Sequence, residues 1–132
     1  MILDSSAILA ILFKEPEAPA LVAALDAASV VGVGGPTLSE TGVVLGSRLG
    51  FQNLSRLHRF QQLFHVNVIS FGTDHWVEAV EAYQRFGKGR HPAALNFGDC
   101  LSYATARLAA LPLLCVGKDF PQTDLPLVSW KR

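Results

Sequence analysis

Cysteine is scarce in this chain: Cys100 and Cys115 are the only two. They form no CxxC pair and join no Cys/His group with zinc spacing. A disulfide-stapled secreted fold is therefore not expected, and two buried free thiols in a reducing compartment are. Long apolar runs are missing too. The longest, Ala7 to Phe13, is seven residues, against the ~20 that a membrane-spanning helix needs. Asp4 interrupts the N-terminal segment and no basic stretch precedes the apolar run, so no secretory leader is expected. Nor is there an excess of charge of either sign. Eleven Lys and Arg meet eleven Asp and Glu, and charged residues make up only 17% of the chain. A net charge of zero argues, on its face, against a nucleic-acid binder, because backbone binding is electrostatic. These absences together predict a soluble, cytoplasmic protein with no membrane contact.

What is present is apolar. Half of the 132 residues are hydrophobic, too many for a disordered chain. The length predicts one domain, residues 1–132, with a sizeable core. So low a charged fraction also suggests that a partner covers some apolar surface.

Short apolar strands alternate with helices along the chain. Met1 to Leu3 reads as a buried strand stopping at Asp4, and Ser5 to Phe13 as a helix buried on most sides. Pro16 opens a second helix to Ala28, and Ser29 to Val33 is a second strand. Thr37-Leu38-Ser39-Glu40 fits a capping box and starts a third helix, which ends at Leu49 before Gly50. Leu54 to Phe64 is amphipathic, Val66 to Phe71 a strand, and Thr73 the cap of a helix from Asp74 to Phe86. In that helix Trp76, Val80 and Tyr83 share a face. A helix from Asn96 to Ala110 follows, then strands at Leu113 to Val116 and Pro126 to Trp130. The alternation predicts an α/β layer fold with a mainly parallel sheet.

Common catalytic signatures fail on spacing. Gly32-Val33-Gly34-Gly35-Pro36-Thr37 starts like a dinucleotide fingerprint but ends in Thr. Gly87-Lys88 and Gly117-Lys118 lack the Ser or Thr of a P-loop, and Gly46-Ser47-Arg48-Leu49-Gly50 has its Ser at the wrong offset for a nucleophile elbow. His75-x-x-Glu78 is an isolated pair with too few partners for a metal. What remains is the placement of acids. Asp4, Glu40, Asp99 and Asp119 all follow strands or open helices, which in a parallel sheet puts them near the carboxyl ends of the strands, where such sheets build their sites. Each one singly reads as a helix cap. Together they would repel one another unless a hard divalent cation sat among them.

Several blocks resemble the PIN-domain family. Ile2-Leu3-Asp4-Ser5-Ser6-Ala7 is similar to its opening strand and D-[ST]-S-A segment. Glu15-Pro16-Glu17-Ala18, Leu38-Ser39-Glu40, and Arg90 through Ala104 with Asn96-Phe97-Gly98-Asp99 at its centre resemble the VapC toxins within that family. So does Leu113 through Leu125 with Asp119-Phe120. The resemblance spans nearly the whole chain in the family's order. It implies a PIN-like three-layer fold and a Mg²⁺- or Mn²⁺-dependent endoribonuclease, the toxin of a toxin–antitoxin pair. By the same resemblance Asp4, Glu40 and Asp99 are the metal-site acids, Asp119 a fourth, and Ser6 the hydroxyl that supports them. Many relatives carry an acid or amide where Lys118 stands; a cation there either weakens metal binding or touches substrate phosphate. The implied partners are a VapB-like antitoxin, structured RNA such as tRNA or rRNA, and a second copy in a homodimer.

Ala82 to Gly98 holds Arg85, Lys88, Arg90 and His91 with no acid among them, a candidate phosphate-binding stretch or else a solvated helix end. Arg56 and Arg59 form a weaker candidate. The apolar helices after Asp4 and Pro16 offer either a dimer seam or an antitoxin groove, or else ordinary core. Two other readings stand beside the ribonuclease: a non-catalytic PIN-like module that binds RNA or protein, and another metal-dependent α/β phosphohydrolase.

Overall fold

The computed structural model describes residues 1–131. Four parallel strands form the centre: β1 (Ile2–Leu3), β2 (Gly32–Gly34), β3 (Asn67–Ile69) and β4 (Leu113–Leu114), in the order β3-β2-β1-β4. Ile2 is in register with Gly32 on one side and Leu113 on the other. Parallel strands need long crossovers, and pairs of helices supply them. α1 (Ser5–Leu12) and α2 (Ala18–Ala27) connect β1 to β2; α3 (Gly35–Leu49) and α4 (Leu54–Leu63) lead to β3; α5 (Thr73–Phe86) and α6 (Phe97–Ala109) lead to β4.

Alternation along the strands divides the core in two. Ile2 and Leu113 face a cluster with Phe86, Leu95, Tyr103 and Phe120, under α5 and α6. Leu3 and Leu114 face a cluster with Ile8, Leu21, Val33, Leu45 and Phe60, under α1 to α4. The result is the three-layer arrangement expected, with a parallel sheet between two layers of helix. At Gly34 a Cβ would fall 2.8 Å from Thr105 Oγ1. That glycine lets β2 approach α6; it serves packing, not a dinucleotide.

Some boundaries differ from the expectation, each for a local reason. α3 starts at Gly35, with Gly34 as its N-cap and Pro36 in the first turn, because Pro is favoured there. The Thr37–Glu40 capping box therefore does not form: Thr37 is buried, and its hydroxyl lies 3.4 Å from Ser102 Oγ. The second helix begins at Ala18, not Pro16, and β2 is Gly32–Gly34, not Ser29 to Val33. α5 is capped at Gly72, not Thr73, and His75 Nδ1 accepts the Gly72 N–H at 3.2 Å. Its core face is Ala79, Ala82 and Phe86, while Trp76, Val80 and Tyr83 are exposed. The predicted last strand shrinks to a single bridge between Leu113 and Leu127. Among the described residues, no helix is long and apolar enough to cross a membrane.

Candidate active site

From β1 the chain crosses to β2 and β3 on one side of the sheet and then returns to β4 on the other side of β1, so the ends of β1 and β4 form a topological switch point. Asp4 stands there, 4% exposed, and caps α1. Its Oδ2 accepts the Ser6 N–H at 3.1 Å and the Ser6 hydroxyl at 2.5 Å. Its Oδ1 accepts the Ser102 hydroxyl at 2.6 Å. Ser6 Oγ in turn accepts the Val116 N–H at 3.0 Å, and the Asp4 N–H donates to Leu114 O at 3.0 Å. A buried carboxylate is tolerable only when hydrogen-bonded in this way. Ser102 spends its proton on Asp4, so the Thr37 hydroxyl 3.4 Å away serves as donor to Ser102.

Asp99 lies in the first turn of α6. Its backbone N–H donates to Asn96 Oδ1 at 2.8 Å, and its Oδ2 accepts the Asn96 N–H at 3.1 Å. This is a reciprocal cap. Only one oxygen is engaged, and the acid also belongs to a wider group. Burial first, then the negative charges of Asp4, Asp119 and Glu40, push its pKa up to about 6, against the pull of the Asn96 N–H. Like charges within reach of one another have this effect. Three chain segments and the loop after β4 thus bring all four acids into one neighbourhood.

Glu40 is exposed, and among the described residues its carboxylate has no hydrogen-bond or ion-pair partner. It lies against the Gly98 backbone, where a Cβ would fall 2.5 Å from Oε2. Asp119 is exposed just before the 3₁₀ turn Phe120–Gln122 and makes no side-chain cap. The capping alternative thus holds for Asp4 and Asp99, whose carboxylates accept helix N–H groups, and fails for Glu40 and Asp119.

The donor set suits a hard divalent ion: oxygen ligands only, several of them anionic. Among the described residues none of the four acids forms an ion pair; both ion pairs go to Asp124. Yet no three His, Cys, Asp or Glu side chains among the described residues are drawn closely enough to enclose an ion as they stand.

The cations divide. Arg85 Nη2 donates to Asp124 Oδ2 at 2.9 Å, so it is not unopposed as the sequence alone suggested. Arg107 reaches Asp124 Oδ1 at 2.9 Å, and the Tyr103 hydroxyl joins them at 2.6 Å. His91 Nδ1 accepts the Ala93 N–H at 3.0 Å, and its ring stands edge-on to Phe86. Lys88, Arg90 and Lys118 are exposed and make no ion pair among the described residues. Cys100 and Cys115 are buried, and burial pushes their thiols up to about 11 and about 12, so neither is a nucleophile at neutral pH.

Sequence reasoning missed Ser102, Thr37 and Gly98. Ser102 had a signal: three residues after Asp99, it shares that acid's helix face.

A model of the PIN domain family matches residues 1–125. Ribonuclease VapC36 of Mycobacterium tuberculosis is 45% identical over 126 residues, which cover 95% of this chain and 91% of that protein. Among solved structures, M. tuberculosis VapC20, described as a toxin cleaving the sarcin-ricin loop, superposes with a TM-score of 0.78 at 20% identity, covering 96% of this chain and 97% of its own. VapBC2 from Rickettsia felis, solved with a DNA fragment from its promoter, gives a TM-score of 0.80 at 16% identity and covers 98% of both chains. The last two, at such identities, speak to the fold.

Proposed function

Because the chain belongs to the PIN-domain family, among its VapC ribonucleases, we propose that it is a divalent-metal-dependent endoribonuclease and the toxin of a type II toxin–antitoxin pair. The observation that carries this reading is the grouping of Asp4, Glu40, Asp99 and Asp119, none in an ion pair among the described residues, felt at Asp99 as a pKa near 6. Asp4 and Asp99 are the proposed direct ligands of Mg²⁺ or Mn²⁺, with Glu40 and Asp119 completing the set or orienting water. A bound divalent ion supplies an activated water and stabilisation of the charge that develops on phosphoryl oxygens.

The chain's own residues do the rest. Ser6 and Ser102 fix the rotamer of Asp4, so the strand-end carboxylate is aimed before anything binds. Glu40, with no other partner, is free to accept a proton from water or to hold that water in line. Lys88, Arg90 and Lys118 are the exposed cations proposed to meet the RNA backbone, and the substrate is structured RNA such as tRNA or rRNA. Arg85 and His91 belong to the same stretch, but Arg85 is paired with Asp124 and His91 holds the loop through the Ala93 N–H.

The antitoxin has a fitting surface. Ile11, Leu12, Val22, Phe60, Leu63 and Phe64 line an apolar groove of about 370 Å³ between α1, α2 and α4, rimmed by Lys14, Arg56 and Arg59. An amphipathic segment with acidic flanks would complement it. Exposed Trp76, Val80 and Tyr83 on α5 are the proposed seam of a homodimer, which sedimentation at micromolar concentration tests; a strict monomer there removes that part.

The deciding experiment compares wild type with Asp4→Asn and Asp99→Asn on an RNA panel and on a small phosphomonoester, each with Mg²⁺ or Mn²⁺. RNA cleavage lost in both variants, with folding retained, is expected; full activity in either would sink the assignment. The open spacing of the acids favours one rival, a non-catalytic binding module. That reading requires RNA binding unchanged by metal and no cleavage by wild type.

A further inference from the structure

Phe97 is the most exposed large hydrophobic side chain among the described residues, at 77%. A phenylalanine in water at the start of a helix gains nothing for the fold. Its position is what matters. It opens α6 two residues before Asp99, and Gly98 between them is the residue against which Glu40 lies. Phe97 is thus an exposed aromatic side chain in the same helix turn as one of the four acids and one residue from the backbone against which another lies.

The loop leading to it is basic and braced. The Lys88 N–H donates to Leu95 O at 2.9 Å, and the Leu95 N–H donates to Phe86 O at 3.0 Å, closing the loop from Gly87 to Leu95 onto the end of α5. Lys88 and Arg90 are exposed on that loop, without ion-pair partners among the described residues. Asn96, between loop and helix, is fixed by its reciprocal bonds to Asp99. The segment from 88 to 97 thus offers exposed cations followed by one exposed aromatic side chain on a hydrogen-bonded backbone. That combination suits unpaired nucleic acid, whose bases are free to stack while its phosphates are tracked by charge.

We infer that Phe97 is a stacking platform for an unpaired base next to the bond that is cut. The inference rests on the ribonuclease reading and deepens it: the site selects RNA that can splay a base out, in a loop or bulge, over a continuous duplex. No metal or proton transfer involves Phe97. It binds and positions.

The test uses the full chain and four proteins: wild type, Phe97→Ala, Phe97→Tyr and Phe97→Trp. Two substrates are compared in Mn²⁺, total cellular RNA containing both tRNA and rRNA, and bis(p-nitrophenyl) phosphate, a diester with no nucleobase. Loss of one stacked base is expected to lower RNA cleavage by Phe97→Ala about 5- to 100-fold, mainly through KM, with the two aromatic variants within about threefold of wild type. Hydrolysis of the small diester and the melting temperature should not change. In Phe97→Trp, excess RNA should quench indole emission beyond the change seen in wild type, which carries Trp76 and Trp130 only. If wild type cleaves RNA and Phe97→Ala matches it, the platform is refuted while the ribonuclease reading stands. An equal loss on both substrates refutes it as well, by showing a structural role. Wild-type protein that cuts no RNA removes both. Should Phe97→Ala cut normally but fail to be silenced by an antitoxin, the ring belongs to a protein interface instead, and the inference is overturned.

Discussion

Ser102 and Asp4 are joined by a 2.6 Å hydrogen bond across 98 positions of sequence. The bond fixes the strand-end carboxylate from the opposite side to Ser6, so neither oxygen of Asp4 is left to rotate. Ser102→Ala strands a buried acceptor, which costs about 1–3 kcal/mol. It should also lower RNA cleavage about 10- to 100-fold, as loss of ligand support does at metal sites. Urea unfolding and initial rates measure the two effects. Unchanged rates would mean that Asp4 needs no second clamp.

Gly98→Ala separates activity from stability. The added methyl would press on the far end of the Glu40 side chain, which can swing away at little cost. Alanine also favours a helix by up to about 1 kcal/mol over glycine. The melting temperature should therefore hold or rise, while misplacing the acid lowers cleavage about 10- to 100-fold. A variant that is both stable and fully active would show that Glu40 has no fixed role.

The raised pKa of Asp99 gives a pH dependence with a definite sign. Its ordinary value of 3.8 moves to about 6 in the fold, so the folded state binds the proton more tightly than the unfolded chain does. The benefit to the fold is complete below pH 4 and is lost as pH rises through about 6. In metal-free buffer Asp99→Asn, which keeps an acceptor for the Asn96 N–H, should thus melt higher than wild type at pH 7.5. After discounting for solvent screening at this partly open site, a gain of about 1 kcal/mol, or roughly 4 °C, is expected. The difference should vanish at pH 3.5. Saturating Mn²⁺ should reverse the order at pH 7.5 by stabilising wild type alone.

Two arginines five residues apart should behave differently. Arg85 is paired with Asp124 across an exposed contact, so Arg85→Ala changes stability by under about 1 kcal/mol and leaves the salt dependence of RNA binding as it is. Arg90 carries no such partner among the described residues. Arg90→Ala should reduce the slope of log affinity against log salt by about 1. Anisotropy titrations between 50 and 200 mM salt read both, and equal slopes for all three proteins would remove Arg90 from the interface.

The parts of the fold that could be read in the sequence were those written in local pattern. β1 and α1 follow from an apolar triplet, an acid and an unbroken apolar run, and α6 from Asn96 and Asp99, a cap that fits its own helix. The failures lie where tertiary contacts overrule a local signal. Thr37 and Glu40 are spaced as a capping box, but Pro36 lets the helix begin earlier, and Thr37 turns inward to Ser102. Trp76, Val80 and Tyr83 form an apolar stripe, yet α5 buries its alanine side, because close packing against α6 favours small residues. Asp4, Glu40, Asp99 and Asp119 were legible as acids at strand and helix ends. What was not legible is the wiring between them: the Ser102 clamp and the Gly98 seat depend on which helices touch, and one sequence does not show that.

The strand order has a consequence in time. β1 is made first but stands between β2 and β4, and its partner β4 comes last of the four strands. A ribosome that has released Asp4, Glu40 and every residue up to α5 has made three of the four strands and none of Asp99, Ser102 or Asp119. A nascent or prematurely terminated chain therefore holds fragments of a nuclease with no working part. The acid group is completed only by residues made after α5, so an unfinished copy carries an incomplete site.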